Sequence, residues 1–138
     1  MTHEKLTECE QLVMKTVWDA GEELDLSEIT RRTNGKYHKR WKPQTVSTFL
    51  TRLVGKGYLR HYRQGRVFFY QILIPLEEYK AQLTNDYVDF WLRGNADEFL
   101  CTLCRTRPLR TDEIEKIRTL INHVQLSTLV YHGPMAAG

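Results

Sequence analysis

The sequence lacks the features of a membrane or secreted protein. No apolar run approaches the roughly 18 uncharged residues that a membrane span requires, and residues 1–5 have no apolar stretch of the kind found in signal peptides. The three cysteines form an odd set, too sparse for a disulfide framework and typical of a reducing compartment. We therefore expect a cytoplasmic protein with free thiols.

The sequence also lacks the residue sets that catalysis requires. It contains no constellation of nucleophile, base and acid, and no glycine-rich phosphate loop. We therefore expect a protein that is not an enzyme and needs no cofactor.

Acidic residues are missing from one long stretch of the chain. Residues 29–76 contain no Asp or Glu but eleven Lys and Arg, and all seventeen acids lie outside them. A carboxylate on a surface that faces a polyanion would repel phosphate, so this contrast favours a nucleic-acid-binding surface. RNA, an anionic membrane or a merely solvated basic face remain open from charge alone.

Two helices are predicted in the N-terminal part. Thr7 has the spacing of a capping box with Glu10, which predicts a helix over residues 8–20. Asp25 opens a second, short helix that we expect to end near Thr33, because Asn34-Gly35 is a helix-breaking pair.

A third helix and a hairpin follow. Pro43 suits the first position of a helix, and the apolar residues after it repeat on one inward face. Residues 58–62 and 67–73 are expected to form two strands joined by a basic turn. Three helices followed by a hairpin is the order of a winged helix, in which the third helix enters the major groove. Its outer face carries small polar residues suited to reading base edges: Gln44, Thr45, Ser47 and Thr48.

The acids return after Pro75, where the pattern predicts three more helices. We expect a winged helix-turn-helix DNA-binding domain over residues 6–75, a helical dimerisation domain over 76–126 and a mobile tail over 127–138. The fold class is mainly α with a small β-hairpin.

The predicted homodimer interface is a set of large apolar residues: Tyr79, Leu83, Tyr87, Phe90, Trp91, Ile114, Ile117, Leu120 and Ile121. The alternative is that the aromatic face packs on the chain's own winged domain.

Several motifs carry a resemblance to a known family. They are Leu6-Thr7-Glu8-Cys9-Glu10, Trp41-Lys42-Pro43-Gln44-Thr45-Val46-Ser47-Thr48-Phe49-Leu50-Thr51-Arg52-Leu53, Lys56-Gly57-Tyr58-Leu59, Phe68-Phe69-Tyr70 and Asp112-Glu113-Ile114-Glu115-Lys116-Ile117. In these motifs the chain resembles the penicillinase repressors BlaI and MecI and the related copper repressor CopY, over most of residues 6–122.

This resemblance implies a homodimeric repressor that binds a palindromic DNA operator and controls a resistance or stress operon. It places Thr45, Ser47 and Thr48 at base-reading positions. Ser47 stands where relatives can carry arginine, so a different operator sequence is expected. The implied contacts to the DNA backbone are Lys42, Arg52, Lys56, Arg63 and Arg66.

The resemblance is weakest at the features that relieve repression. In the penicillinase repressors a membrane sensor-protease partner triggers cleavage at an Asn-Phe bond, but the aligned locus here is Thr102-Leu103. The cysteine-rich metal hook of the copper repressors is absent from this sequence. Cys101 and Cys104 remain as metal candidates. Cysteines at this spacing on an apolar helix are more often small core residues, which is the alternative for this pair. A metal- or redox-gated regulator and a winged-helix protein-interaction module are the alternative functions.

Overall fold

The protein is mainly helical with one small sheet, which confirms the predicted fold class. The computed structural model describes residues 2–128, and their side chains as far as residue 124. The elements follow in the order α1 (Glu8–Ala20), β1 (Leu24–Asp25), α2 (Leu26–Tyr37), α3 (Pro43–Gly55), β2 (Leu59–Gln64), β3 (Val67–Ile72), α4 (Leu76–Leu92), α5 (Ala96–Thr106) and α6 (Thr111–Thr128).

The predicted capping box at the start of α1 is confirmed. The Thr7 hydroxyl accepts the N–H of Glu10 at 3.2 Å, and the Glu10 carboxylate accepts the N–H of Thr7 at 3.0 Å. Such a cap contributes on the order of 1 kcal/mol and fixes the first turn of the helix. Gly21, with a φ of 69°, ends α1.

The expectation that α2 ends near Thr33 is wrong, since the helix continues through Asn34-Gly35 to Tyr37. The Asn34 side chain does not compete with the helical backbone, because its amide is bonded to Trp41 in the loop that follows. The helix instead ends at His38, whose left-handed conformation places its N–H on the Asn34 carbonyl. The predicted start of α2 is confirmed, because the Asp25 carboxylate accepts the N–H of Glu28 at 2.8 Å.

The sheet contains one strand more than the predicted hairpin. Leu24 and Asp25 form β1, which pairs antiparallel with β3, so the strand order is β1-β3-β2. A two-residue strand leaves too short a pattern to recognise in the sequence. It attaches the hairpin to the N-terminal end of α2.

The core lies between α1, α2, α3 and the base of the sheet. Pro43 begins α3 as predicted, and Val46, Leu50 and Leu53 are fully buried along its inner face. Other fully buried apolar side chains around it include Val13, Met14, Ile29 and Tyr58. One face of α3 therefore packs in the core, and the opposite face is exposed to solvent.

The chain divides into two compact units, and the division falls inside α4 between Tyr87 and Val88. The first unit therefore extends beyond residue 75 and includes the start of α4. This occurs because Tyr79 is buried, with its ring centroid 5.1 Å from Trp18 and 5.8 Å from Tyr58.

The second unit contains the end of α4, together with α5 and α6. The three helices expected after Pro75 are confirmed as α4, α5 and α6. α6 runs to Thr128, and the expected tail over residues 127–138 lies mostly outside the described part of the chain, which ends at residue 128, so it stays a prediction.

Candidate nucleic-acid interface

The outer face of α3 carries the side chains expected to read DNA bases. Gln44, Thr45 and Thr48 are exposed and Ser47 is half-buried. The Thr48 hydroxyl donates to the Gln44 carbonyl at 3.1 Å. In this arrangement the Thr48 oxygen retains acceptor capacity, so the face offers hydroxyl acceptors, methyl groups and one amide to a partner.

The hairpin places two exposed arginines beside this face. The turn between β2 and β3 contains Gly65 with a φ of 68°, a conformation that favours glycine. Arg63 and Arg66 flank it and are exposed, and the Arg63 guanidinium lies 5.5 Å from the centre of the Phe68 ring. Arg66 and Ser47 line the same groove of about 320 Å³, so the hairpin adjoins the middle of α3.

Lys42 and Arg52 lie at the two ends of α3, and both side chains are exposed. Lys42 is the residue that precedes the helix, and its side chain does not cap it. Arg52 lies in the last turn and is close enough to Glu10 for its charge to act on that carboxylate. Both remain available to an anionic partner.

Lys56 has a different role from the one that the sequence suggested. Its ammonium donates to the Glu10 carboxylate at 2.6 Å and to the Lys5 carbonyl at 2.7 Å. Glu10 is only 1% exposed, and the Lys56 side chain is 19% exposed. Glu10 lies far from Lys56 in the sequence, so their proximity follows only from the packing of α1 against α3. Lys56 therefore neutralises a buried carboxylate of the domain, unlike the other four predicted phosphate contacts, which are exposed.

The pKa of Glu10 reflects this pairing. Burial acts to raise it, but the hydrogen bonds from Lys56 and Thr7 and the charges of Lys56 and Arg52 outweigh burial. The net pKa lies below its usual value of 4.5, so the carboxylate stays ionised in the interior.

The loop between α2 and α3 lies next to the recognition face, although the sequence prediction included only Lys42 from it. Asn34 donates from its amide to the Trp41 carbonyl at 2.9 Å and accepts the Trp41 N–H at 3.0 Å. The Trp41 ring lies 5.0 Å from the ring of Phe49 in α3. Lys39 and Arg40 are exposed within this loop, and the acid-free stretch was the signal that could have identified them.

The residues of the predicted dimer interface differ in how far they are exposed. Tyr79 is only 6% exposed and accepts a hydrogen bond from Gln11, so it belongs to the core of the first unit. This aromatic residue therefore follows the alternative, packing on the chain's own winged domain. Leu83 and Tyr87 in α4 are exposed.

In the second unit Phe90 is 77% exposed and Trp91 is 67% exposed at the end of α4. Ile114, Leu120 and Ile121 are also exposed along α6, whereas Ile117 is half-buried. A cavity of about 490 Å³ lies between α5 and α6, and its walls are mostly apolar, with Leu103, Ile114 and Ile117 among them.

The predicted cleavage locus and the candidate metal residues lie in α5. Thr102 and Leu103 are half-buried inside the helix, and the Thr102 hydroxyl donates to the Glu98 carbonyl at 2.9 Å. Cys101 and Cys104 are exposed free thiols. The expectation that they are small core residues is therefore wrong. In the described part of the chain, no group of three or more His, Cys, Asp or Glu side chains could hold a metal ion.

Among the described helices, none has the length and apolarity needed to cross a membrane.

Comparisons with known proteins place these features in a family. The family model described as penicillinase repressor matches residues 6–123. The penicillinase repressor of Bacillus licheniformis is 24% identical over 117 residues, covering 85% of this chain and 89% of the relative. The methicillin resistance regulatory protein MecI of Staphylococcus aureus strain N315 is 26% identical over 84 residues, covering 61% of this chain and 68% of the relative. A solution structure of monomeric Bacillus licheniformis BlaI with the blaP half-operator is 32% identical, with a TM-score of 0.46, and covers 56% of this chain and 92% of that one.

Proposed function

The chain belongs to the penicillinase repressor family, and we propose that it represses transcription by binding a DNA operator in a sequence-specific manner. Its family consists of repressors and not of enzymes. The observation that carries the proposal is the exposed polar face of α3 beside free cations, in a stretch of residues 29–76 that contains no acid. A repressor acts where the chromosome lies, so we expect it in the cytoplasm.

Sequence reading is assigned to the outer face of α3. A Gln side chain can pair with both hydrogen-bonding groups of an adenine edge, and Ser or Thr can bond a base or contact the methyl group of thymine. We propose that Gln44, Thr45, Ser47 and Thr48 make these contacts in the major groove.

Affinity is assigned to the cations around that face. Each Lys or Arg that neutralises a phosphate releases counterions, and the gain is independent of base sequence. We propose Lys42, Arg52, Arg63 and Arg66 as phosphate contacts, since all four are exposed near α3 or the hairpin turn. They hold the domain against the duplex while α3 reads the bases.

The repressor is proposed to act as a homodimer on a palindromic operator. One helix reads only a few base pairs, and binding two half-sites roughly doubles the binding free energy. The support within the second unit is its set of exposed apolar side chains, which includes Phe90 and Trp91 in α4 and Leu120 and Ile121 in α6. Exposed patches of this kind are typical of protein interfaces.

Footprinting on the DNA upstream of the chain's own gene and of neighbouring operons tests the proposal. The expected result is protection of a short inverted repeat at physiological salt. A scrambled duplex of the same length and composition is the control. Equal affinity for the repeat and for the scrambled duplex would contradict sequence-specific repression.

A further inference from the structure

The loop that joins α2 to α3 carries a cluster of exposed cations. Lys39, Arg40 and Lys42 lie within residues 38–42, and none of the three forms an ion pair with a described acid. Neighbouring cations on α2 differ in this respect. Lys36 is paired with Asp19 at 2.5 Å, and both Arg31 and Arg32 are bonded to Glu28. The loop therefore presents positive charge that the protein itself does not neutralise.

The loop is held in one conformation by Asn34. Two bonds join the Asn34 side chain to the N–H and the carbonyl of Trp41, and the Asn34 carbonyl accepts the N–H of Lys39 at 3.1 Å. The Trp41 ring packs on Phe49, and the Lys39 ammonium lies 5.7 Å from the centre of the Trp41 ring. Cations on a loop that is already ordered lose less entropy when they bind than cations on a flexible one.

The loop and the hairpin lie at opposite ends of α2. The hairpin adjoins the N-terminal end of α2, because β1 leads into α2 and pairs with β3. The loop leaves the other end of α2. The helix has 12 residues, so its two ends lie about 18 Å apart at about 1.5 Å per residue. The major groove of B-DNA is about 12 Å wide and has a phosphate backbone on each side.

We propose that residues 38–42 form a second phosphate-binding element, separate from the hairpin, in which Lys39 and Arg40 contact the DNA backbone beside Lys42. Asn34 is the positioning residue that orders this element. The inference rests on the proposed DNA-binding function and adds contacts that neither α3 nor the hairpin supplies. With the hairpin at one end of α2 and the loop at the other, the domain contacts phosphates on both sides of the groove that α3 enters.

The test measures the salt dependence of DNA binding by fluorescence anisotropy. The full chain is titrated onto a random-sequence duplex of about 30 base pairs, because phosphate contacts do not depend on sequence. We expect Lys39→Gln and Arg40→Gln each to reduce the slope of log K against log salt by about 0.9, and each to weaken binding about fivefold at about 0.1 M salt. The matched control is Lys36→Gln, which should leave the slope unchanged because Asp19 neutralises that charge and keeps Lys15 as a partner at 2.7 Å.

The role of Asn34 is tested by a double-mutant cycle. Asn34→Ala should reduce the slope toward that of the Lys39→Gln/Arg40→Gln double variant, and adding it to that double variant should cause no further loss of affinity. A purely structural asparagine would instead lower the melting temperature and leave the slope unchanged. That outcome would overturn the positioning role.

The outcomes separate this inference from the function on which it rests. If the parent chain binds DNA and Arg66→Ala lowers its slope while the loop variants keep the parental slope, the loop is a solvated basic segment and the inference fails alone. If the parent chain shows no salt-dependent DNA binding, the proposed function fails, and the inference fails with it.

Discussion

Glu10 and Lys56 form an ion pair at the junction of α1 and α3, with Glu10 almost completely buried. A buried pair of this kind adds little by itself, but removing one partner leaves an uncompensated charge in the interior. We expect Lys56→Met to lower the free energy of unfolding by about 3 kcal/mol, measured by urea denaturation. Lys36→Met is the control, since it removes an exposed lysine whose partner Asp19 keeps Lys15. Equal losses in both variants would contradict the structural role of Lys56.

The same pair predicts a dependence of stability on pH. The pKa of Glu10 in the folded protein lies below its usual value of 4.5. Its ionised form therefore contributes stability above about pH 4.5, and that contribution is lost as the pH falls through the folded-state pKa. The stability difference between the parent chain and Lys56→Met should shrink in that acidic range. A difference that stays constant down to the acid unfolding transition would show that Glu10 is not the group involved.

Ser47 and Thr48 are the residues whose substitution should change which sequence is bound. We expect Thr48→Ala to lose discrimination at one base-pair position, worth about 1–3 kcal/mol between the preferred and the alternative base. Ser47→Ala should change a neighbouring position. Binding to a panel of operators with single base-pair changes measures both effects. Thr51→Ala is the matched control, because Thr51 is an exposed threonine on α3 outside the proposed reading set.

At the scale of elements, the helix boundaries set by local chemistry were predictable. Thr7 and Glu10 cap each other within one turn, and Pro43 begins α3 because its missing N–H removes no intrahelical bond. Such signals act over a few residues, so one sequence is enough to recognise them. The fold class and the exposed polar face of α3 followed from such signals.

The features that sequence did not predict depend on contacts between distant residues. Asn34 was expected to break α2, but its side chain is bonded to Trp41 in the folded chain. Tyr79 was expected at a dimer interface because it lies on the same helical face as Tyr87, but Trp18 and Tyr58 cover it. Helical periodicity shows that a face is apolar and does not show which surface covers it.

Substitutions in the hairpin should change the affinity for DNA, whereas substitutions on α3 should change the preferred base sequence. We expect Arg66→Ala to weaken binding to all DNA sequences alike and to reduce the salt slope by about one unit, because it removes one phosphate contact. Arg31→Ala is a suitable control, since Arg31 is exposed but already bonded to Glu28. A change in sequence preference without a change in slope would mean that the hairpin is wrongly assigned to the phosphate backbone.

At the scale of the whole molecule, binding to a palindromic operator requires a second copy of the chain. We expect Leu120→Glu, at a leucine that is 62% exposed on α6, to shift the protein toward monomer and to reduce operator affinity at least about tenfold. Sedimentation equilibrium measures the association. The control is Leu73→Glu, at a leucine that is 51% exposed in the first unit and outside the proposed interface. If both variants remain dimeric, the interface lies elsewhere.

Selection of the full chain against a pool of random duplexes is the sharpest test of sequence-specific repression. A dimer that reads DNA through α3 should enrich an inverted repeat whose half-sites are spaced by about 10 base pairs, or a multiple of that, centre to centre. The selected duplex should bind two chains and be preferred over its scrambled version by at least about a thousandfold. A pool that stays random after selection, while the protein still binds DNA, would contradict sequence-specific repression by this chain.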